Sequence, residues 1–123
     1  FGIDKSEYII KTEIVETLEH ITDTITMSVC SHEYENIRTI ASQAADDMLC
    51  VDNSQCSFVL YPYEHGIGVS GRSYGDINVQ LILEQLGGGG HQTVAGAQLH
   101  TADMEYAKEL LRKAVSAYNS ERG

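Results

Sequence analysis

The sequence has few basic residues, one proline and no tryptophan. Its 8 lysines and arginines stand against 18 aspartates and glutamates, so the formal net charge is −10. A surface that binds duplex DNA needs a dense basic footprint, and binding to anionic lipid needs a basic patch. No stretch reaches the roughly 20 apolar residues of a membrane span, and no signal-peptide pattern is present. We therefore expect neither duplex DNA nor a membrane surface as a partner of this chain.

Cysteine is also scarce, with Cys30, Cys50 and Cys56 the three in the chain. An odd number without a CxxC spacing is untypical of a disulfide framework or a zinc cluster. Reduced thiols in a cytoplasmic compartment fit the pattern better. His32-Glu33 does not continue to HExxH, and the other histidines form no ligand spacing. We therefore expect no metal site in these residues.

A length of 123 residues is typical of one domain, so we expect a single unit over 1–123. Helical and strand periodicities alternate along the chain in the order αβαββαβα. Predicted helices cover 5–20, 34–49, 76–86 and 101–119, and predicted strands cover 24–30, 56–63, 67–72 and 93–99. Asp76 is predicted to cap the third helix. The order indicates an α/β domain with a mixed β-sheet flanked by helices. Because the chain begins at Phe1 and not Met, we expect it to be a piece of a longer protein.

Glycine is concentrated in the middle of the chain. Nine of the eleven glycines lie between Gly66 and Gly96, and Gly87 to Gly90 are consecutive, with His91 directly after them. Successive glycine N–H groups can point into one concavity that binds an anion. A P-loop or dinucleotide fingerprint needs the reverse of the predicted order, a strand before the glycines and a helix after them. The alternative is a flexible helix C-terminus, for which one glycine suffices, so we favour a ligand-binding loop.

Arg72 is the one lysine or arginine between Arg38 and Lys108. It stands at the end of a predicted strand, just before a predicted helix. An arginine in that place can present two parallel donors to a phosphate or stack on a base. The alternative is a surface arginine paired with Asp76 or Glu84. Together with the glycine–histidine segment, the position of Arg72 favours a ligand contact.

Several segments carry a resemblance to a known family. They are VSGRS at 69–73, GDINVQLILEQLGGGGH at 75–91 and AGA at 95–97. Together they resemble the C-terminal, DHH-associated substrate-binding domain of the DHH phosphoesterases, with its GGGH motif. Within that family they look most like the cyclic-di-AMP phosphodiesterases of the GdpP type. The likeness covers roughly residues 24–115.

The resemblance implies that this domain recognises the phosphate and base of a cyclic dinucleotide or short oligonucleotide. The matching substrate-binding positions are Ser70, Arg72, Ser73, Gly88, Gly89, Gly90 and His91. The glycine N–H groups and His91 would bind one phosphate, while Arg72 and Ser73 would hold the other phosphate or the base. A side chain in place of Gly89 is expected to block the ligand and strain the loop.

The resemblance also implies a part that this sequence lacks. Members of the family resemble two-lobed enzymes that hold a pair of manganese ions in an N-terminal catalytic lobe with an Asp-His-His motif, and no such motif occurs here. We therefore expect no cofactor, no catalytic residue and no hydrolysis by this chain alone. The parent would be anchored in the cell membrane, with this domain in the cytoplasm, and would convert cyclic-di-AMP to linear diadenylate. The alternatives are a lobe of an oligoribonuclease-type enzyme acting on short RNA, a non-catalytic nucleotide-binding module, and plain α/β packing without a ligand.

Overall fold

The computed structural model describes residues 4–122 and places four helices and six strands among them. The helices are α1 (Lys5–Glu16), α2 (Ile37–Met48), α3 (Val79–Glu84) and α4 (Met104–Arg122). The strands are β1 (Glu19–His20), β2 (Ile25–Val29), β3 (Cys56–Tyr63), β4 (Gly66–Ser73), β5 (Gly89–Gly90) and β6 (Val94–Leu99). Within the described residues, no helix combines the length and the apolar character needed to cross a bilayer.

All six strands form one mixed sheet in the order β1-β2-β3-β4-β6-β5. β2 and β3 run parallel, and every other neighbouring pair is antiparallel. A parallel pair needs a crossover connection, and α2 provides it. The predicted α/β domain, with a mixed sheet flanked by helices, is confirmed.

Side chains of the central strands alternate between two cores, one on each face of the sheet. In β3, Phe58 and Leu60 pack with residues of α3 and α4, whereas Val59 and Tyr61 pack with α1 and α2. On the second face α2 lies across β3 and β4. The same face of β6 remains exposed or half-exposed at alternate positions. This end of the sheet, beside α2, is the place that the fold leaves open to a ligand.

Two short strands were not predicted from the sequence. β1 occupies residues that were expected to form the last turn of the first helix. The helix ends earlier because the Thr17 hydroxyl accepts a hydrogen bond from the Val29 N–H at 2.9 Å and so turns the chain onto β2. β5 lies inside the glycine run that was expected to be a loop.

The predicted N-cap of the third helix is wrong. Asn78, not Asp76, caps α3, since its side-chain oxygen accepts a hydrogen bond from the Leu81 N–H at 3.1 Å. The Asn78 backbone is extended, and its N–H donates to the Tyr118 hydroxyl at 2.9 Å. Tertiary contacts therefore place the N-cap of this helix two residues later than predicted.

Candidate functional site

An open cavity of about 600 Å³ lies at the uncovered end of the sheet. β4 and β6 form its floor, α2 forms one wall, and the glycine segment with β5 forms the opposite wall. Ser70 and Gly96 lie directly opposite each other in the middle of the floor. Because Ser70 is small and Gly96 has no side chain, little projects from the sheet there, and the cavity is deepest between its two walls.

Residues of α2 and β4 meet at matching intervals along the cavity. Four residues of an α-helix advance by about 6 Å, and two residues of a strand by about 6.6 Å. Asp46 and Ser42, four apart on α2, therefore lie beside Arg72 and Ser70, two apart on β4. The distance from Asp46 Oδ1 to Arg72 Nε is 3.2 Å, and the Ser42 and Ser70 hydroxyl oxygens are also 3.2 Å apart.

The Arg72 side chain is held against the cavity wall, with 15% of its surface exposed. Its Nε lies beside Asp46, and its Nη1 donates a hydrogen bond to the Gly71 carbonyl at 2.8 Å. A guanidinium carries five N–H donors, so about three remain beyond these two contacts. The carboxylate beside Arg72 is thus that of Asp46. The partner suggested from the sequence was Asp76 or Glu84.

The first two glycines of the run end α3. Gly87 has a φ of +82°, the left-handed conformation that glycine commonly adopts after a helix. Its N–H donates to the Glu84 carbonyl at 3.1 Å, and the Gly88 N–H donates to the Leu83 carbonyl at 2.8 Å. This is the Schellman pattern of helix termination. Contrary to expectation, the Gly88 N–H is therefore already bonded within the protein, although Gly88 lines the cavity.

Gly89 and Gly90 pair with β6 as an edge strand. The next residue, His91, donates its N–H to the Val94 carbonyl at 2.7 Å. Bonded and non-bonded positions alternate along an antiparallel pair, so the Gly89 N–H also faces β6 and the Gly90 N–H points away from it. Of the three glycines predicted to bind phosphate, Gly90 is the one whose N–H is directed away from the sheet.

Close packing requires glycine at two places in this segment. A Cβ on Gly88 would lie 2.2 Å from the Gly96 carbonyl oxygen. Gly90 has a φ of +144°, and a Cβ there would lie 2.5 Å from the Val94 carbonyl oxygen. A Cβ on Gly89 would meet nothing within 4 Å. The loop strain that was expected for a side chain at Gly89 therefore belongs to Gly88 and Gly90.

The remaining predicted residues divide between the two faces of the sheet. His91, Ser70 and Arg72 all line the cavity, and of the three His91 is exposed whereas Ser70 is buried. Ser73 lies one position beyond Arg72 on β4, so its side chain points to the opposite face. There its hydroxyl donates to the Ile77 carbonyl at 2.6 Å. The cavity thus brings together six of the seven predicted residues and does not include Ser73.

Sequence reasoning did not identify the residues at the other end of the cavity, where Arg38 and Tyr61 stand. The Tyr61 ring covers Gly68, since a Cβ on that glycine would lie 2.3 Å from the ring. Burial raises the pKa of the Tyr61 hydroxyl, while the charge of Arg38 and a hydrogen bond from Ser70 act in the opposite direction. The positive charge of Arg38 therefore acts on the hydroxyl of Tyr61, which lines the cavity.

Gln98 and His100 complete that end of the cavity. The sequence contained one usable signal, the spacing of Arg38, Ser42 and Asp46 at intervals of four residues. That interval places them on one face of a helix. The signal becomes informative only once α2 is known to lie across β4.

Metal ligands are not clustered in the described part of the chain. Within residues 4–122, no group of three or more His, Cys, Asp or Glu side chains is arranged to hold a metal ion. The side chains of residues 4–122 therefore do not fit the manganese pair that the resemblance implies.

The model of a known family, the DHHA1 domain, matches residues 22–120. The chain belongs to the DHHA1 family. The matched range begins after α1 and contains every residue named above as lining the cavity.

Curated relatives of this DHHA1 domain include cyclic-di-AMP phosphodiesterases. It is 44% identical over 111 residues to the cyclic-di-AMP phosphodiesterase PdeA of Listeria monocytogenes, covering 88% of this chain and 17% of the relative. It is 39% identical over 82 residues to the cyclic-di-AMP phosphodiesterase GdpP of Bacillus subtilis, covering 66% and 12%. The bifunctional oligoribonuclease and PAP phosphatase NrnA of Thermus thermophilus is 39% identical over 79 residues, covering 61% and 24%. The chain therefore spans no more than 24% of the length of these relatives.

Solved structures share the fold of this DHHA1 domain. The crystal structure of an exopolyphosphatase-related protein from Bacteroides fragilis matches with a TM-score of 0.82 at 20% identity, covering 95% of this chain and 36% of the other. The pGpG-specific phosphodiesterase PggH from Vibrio cholerae matches with a TM-score of 0.59 at 14% identity, covering 92% and 40%.

Proposed function

We propose that this DHHA1 domain is the nucleotide-binding lobe of a DHH-family phosphodiesterase that hydrolyses cyclic-di-AMP to linear diadenylate. The observation that carries the proposal is the cavity in which Ser70, Arg72, Gly90 and His91 meet. A guanidinium, a hydroxyl, a backbone N–H and an imidazole are all donors that suit phosphate oxygens. The names of the PdeA and GdpP relatives support cyclic-di-AMP as the substrate.

In this proposal the cavity residues bind and orient the substrate and exchange no proton with it. Arg72 was expected to hold the other phosphate or the base, but it lies opposite Val94 of β6, whose carbonyl accepts the His91 N–H. In this proposal, the N–H groups of Arg72 that are not bonded within the protein therefore donate to the same phosphate as the Gly90 N–H and the His91 ring. The Asp46 and Gly71 contacts fix the guanidinium before the ligand arrives. A donor set fixed in advance lowers the entropy cost of placing the phosphate and stabilises its charge.

The hydrolytic step, in this proposal, takes place on another lobe of a longer protein. The described residues hold no cluster of metal ligands, and the relatives are several times longer than this chain. We expect the other lobe to hold the manganese pair and the parent to be anchored in the membrane, with this domain in the cytoplasm. The 123-residue chain alone should not hydrolyse cyclic-di-AMP when manganese is added.

Calorimetric titration of the chain with cyclic-di-AMP tests the binding role. His91→Ala should weaken binding by about ten- to a hundredfold, because a hydrogen bond to a charged oxygen contributes about 1.5–3 kcal/mol. Arg72→Lys should also weaken it, since an ammonium does not reproduce the planar pair of donors. His65→Ala is the matched control, because His65 is an exposed histidine in the β3–β4 turn, away from the cavity. Equal affinity of wild type, His91→Ala and Arg72→Lys would contradict the proposal.

A second ligand class is favoured by the NrnA relative, which is named as an oligoribonuclease. The same cavity donors would bind the phosphates of a short linear RNA. Titration with a linear RNA dinucleotide under the same conditions separates the two substrates. Tighter binding of the linear RNA than of cyclic-di-AMP would favour the oligoribonuclease-type activity.

A further inference from the structure

The two arginines in the middle of the chain both line the cavity. Between Lys11 and Lys108 the only lysines or arginines are Arg38 and Arg72. Both are among the cavity residues, although the chain carries a net charge of −10. Positive charge in the central part of this acidic protein is therefore gathered in one cavity.

The two arginines differ in their surroundings. Arg72 is largely buried and lies beside Asp46. Arg38 is exposed, and within residues 4–122 no carboxylate oxygen lies within 4.0 Å of its guanidinium. Most of the other basic side chains described are paired with acids, namely Lys11, Lys108, Arg112 and Lys113. Among the described residues, the charge of Arg38 at the edge of the cavity is therefore not compensated by a neighbouring carboxylate.

The geometry places the two arginines at opposite ends of the cavity. Eight residues of α2 separate Arg38 from Asp46, the neighbour of Arg72, and this corresponds to about 12 Å along the helix axis. On the floor, four residues of β6 separate Val94 from Gln98, which is about 13 Å. Both side chains line the cavity, so anions bound to them would lie toward its two ends.

The middle of the cavity suits the uncharged part of a ligand. The Ser42 and Ser70 hydroxyl oxygens lie 3.2 Å apart on one side. Gly96, which pairs with Ser70, has no side chain to fill the space opposite them. A mononucleotide with one phosphate would engage one end. A dinucleotide with two phosphates would engage both ends and cross the small residues between them.

We propose that the Arg38 end of the cavity is a second anion subsite, which binds the other phosphate of a dinucleotide whose first phosphate is held by Arg72, Gly90 and His91. This inference rests on the proposed function and extends it. The ligand class is a cyclic or linear dinucleotide that carries two phosphates. The Arg38 guanidinium donates to the second phosphate, and Gln98 and His100 lie at the same end of the cavity.

Titration of Arg38→Ala with cyclic-di-AMP and with AMP tests the subsite. The variant should bind cyclic-di-AMP about tenfold more weakly than wild type, the loss expected for one charge-assisted hydrogen bond. Its affinity for AMP, followed by NMR titration, should stay within twofold of wild type, since AMP occupies the other end. His91→Ala, in contrast, should weaken both ligands. Arg38→Lys should recover part of the affinity for cyclic-di-AMP, because the charge is restored.

The matched control is Arg122→Ala, which removes an exposed arginine at the end of α4, outside the cavity. If Arg38→Ala and Arg122→Ala bind cyclic-di-AMP equally well, the second subsite is refuted while the proposed function stands. An equal loss for AMP and cyclic-di-AMP in Arg38→Ala would also refute it, because all contacts would then serve one phosphate. Wild type that binds neither ligand would overturn the proposed function itself.

Discussion

Asp46 has two opposed effects on a phosphate bound at Arg72. Its carboxylate lies 3.2 Å from Nε and orients the guanidinium, but its negative charge repels an anion bound to the same group. At about 7 Å in a half-exposed site, repulsion between unit charges is on the order of 1 kcal/mol. An uncharged amide oxygen would keep the orienting contact, and the Gly71 carbonyl holds Nη1 in either case. Removal of the charge alone should therefore favour the anion.

We expect Asp46→Asn to bind cyclic-di-AMP about fivefold more tightly than wild type, which corresponds to about 1 kcal/mol. Calorimetric titration at fixed ionic strength measures the change. Asp47→Asn is the matched control, since it makes the same change in net charge at the next residue, which pairs with Lys11 of α1 at 3.0 Å. Its affinity should stay within twofold of wild type. Weaker binding by Asp46→Asn would show that the carboxylate charge is needed to orient Arg72.

The start of α3 illustrates how tertiary contacts decide among local capping residues. Asp76 and Asn78 are both good N-cap residues, so the sequence alone does not choose between them. Two hydrogen bonds decide, from the Asn78 N–H to the Tyr118 hydroxyl and from the Ser73 hydroxyl to the Ile77 carbonyl. Both hold the residues before Val79 out of the helix, with Asn78 itself extended. α3 therefore begins at Val79, beside the glycine wall of the cavity.

Replacement of the cap tests this assignment. Asn78→Ala should lower the free energy of unfolding by about 1 kcal/mol, because the Leu81 N–H loses its acceptor at 3.1 Å. Asp76→Ala should change it by less than about 0.5 kcal/mol, as is usual for exposed positions without such a contact. Urea denaturation of both variants gives the comparison. A larger loss for Asp76→Ala than for Asn78→Ala would place the cap where the sequence alone suggested.

Elements with a continuous pattern could be predicted, and the shortest ones could not. β3 and the helix α2 show several periods of their own pattern, so their positions follow from the sequence. β1 and β5 have two residues each, too few for any period to be seen. They exist because β2 and β6 offer edges to which they pair.

Sequence reasoning located cavity-lining residues where composition was unusual and missed them where packing decides. The glycine–histidine segment and the isolated Arg72 stand out in the sequence, and both reach the cavity. Arg38 belongs to the cavity only because α2 crosses β4, a contact that local pattern does not contain. Ser73 was expected beside Arg72, but a shift of one residue along a strand reverses the side-chain direction.

Two of the three thiols are protected by the packing of the whole molecule. Cys56 is fully buried and Cys30 is 3% exposed, whereas Cys50 lies exposed after α2. Burial raises the pKa of the Cys30 and Cys56 thiols. A raised pKa means less thiolate at a given pH, and thiolate is the reactive form. Thiol reactivity therefore reports on opening of the domain.

Reaction with a thiol reagent at pH 8 should show one fast equivalent in the folded chain and three in denaturant. Cys50→Ser should abolish the fast equivalent and leave the two slow ones, because these react only when the sheet opens. Absorbance of the released chromophore follows both phases. Three fast equivalents in the folded protein would contradict the burial of Cys30 and Cys56.

Because positive charge is concentrated in one cavity of an acidic molecule, electrostatics acts in opposite directions on the diffusional encounter with an anionic ligand and on its binding in the cavity. An anionic dinucleotide is repelled by the net charge of −10 at a distance and attracted only within about a Debye length of the two arginines, near 8 Å at physiological salt. Added salt screens the repulsion and so speeds diffusional encounter. It also screens the arginine contacts and so speeds dissociation. Higher ionic strength therefore raises both the dissociation rate and the association rate, so that bound and free ligand exchange faster.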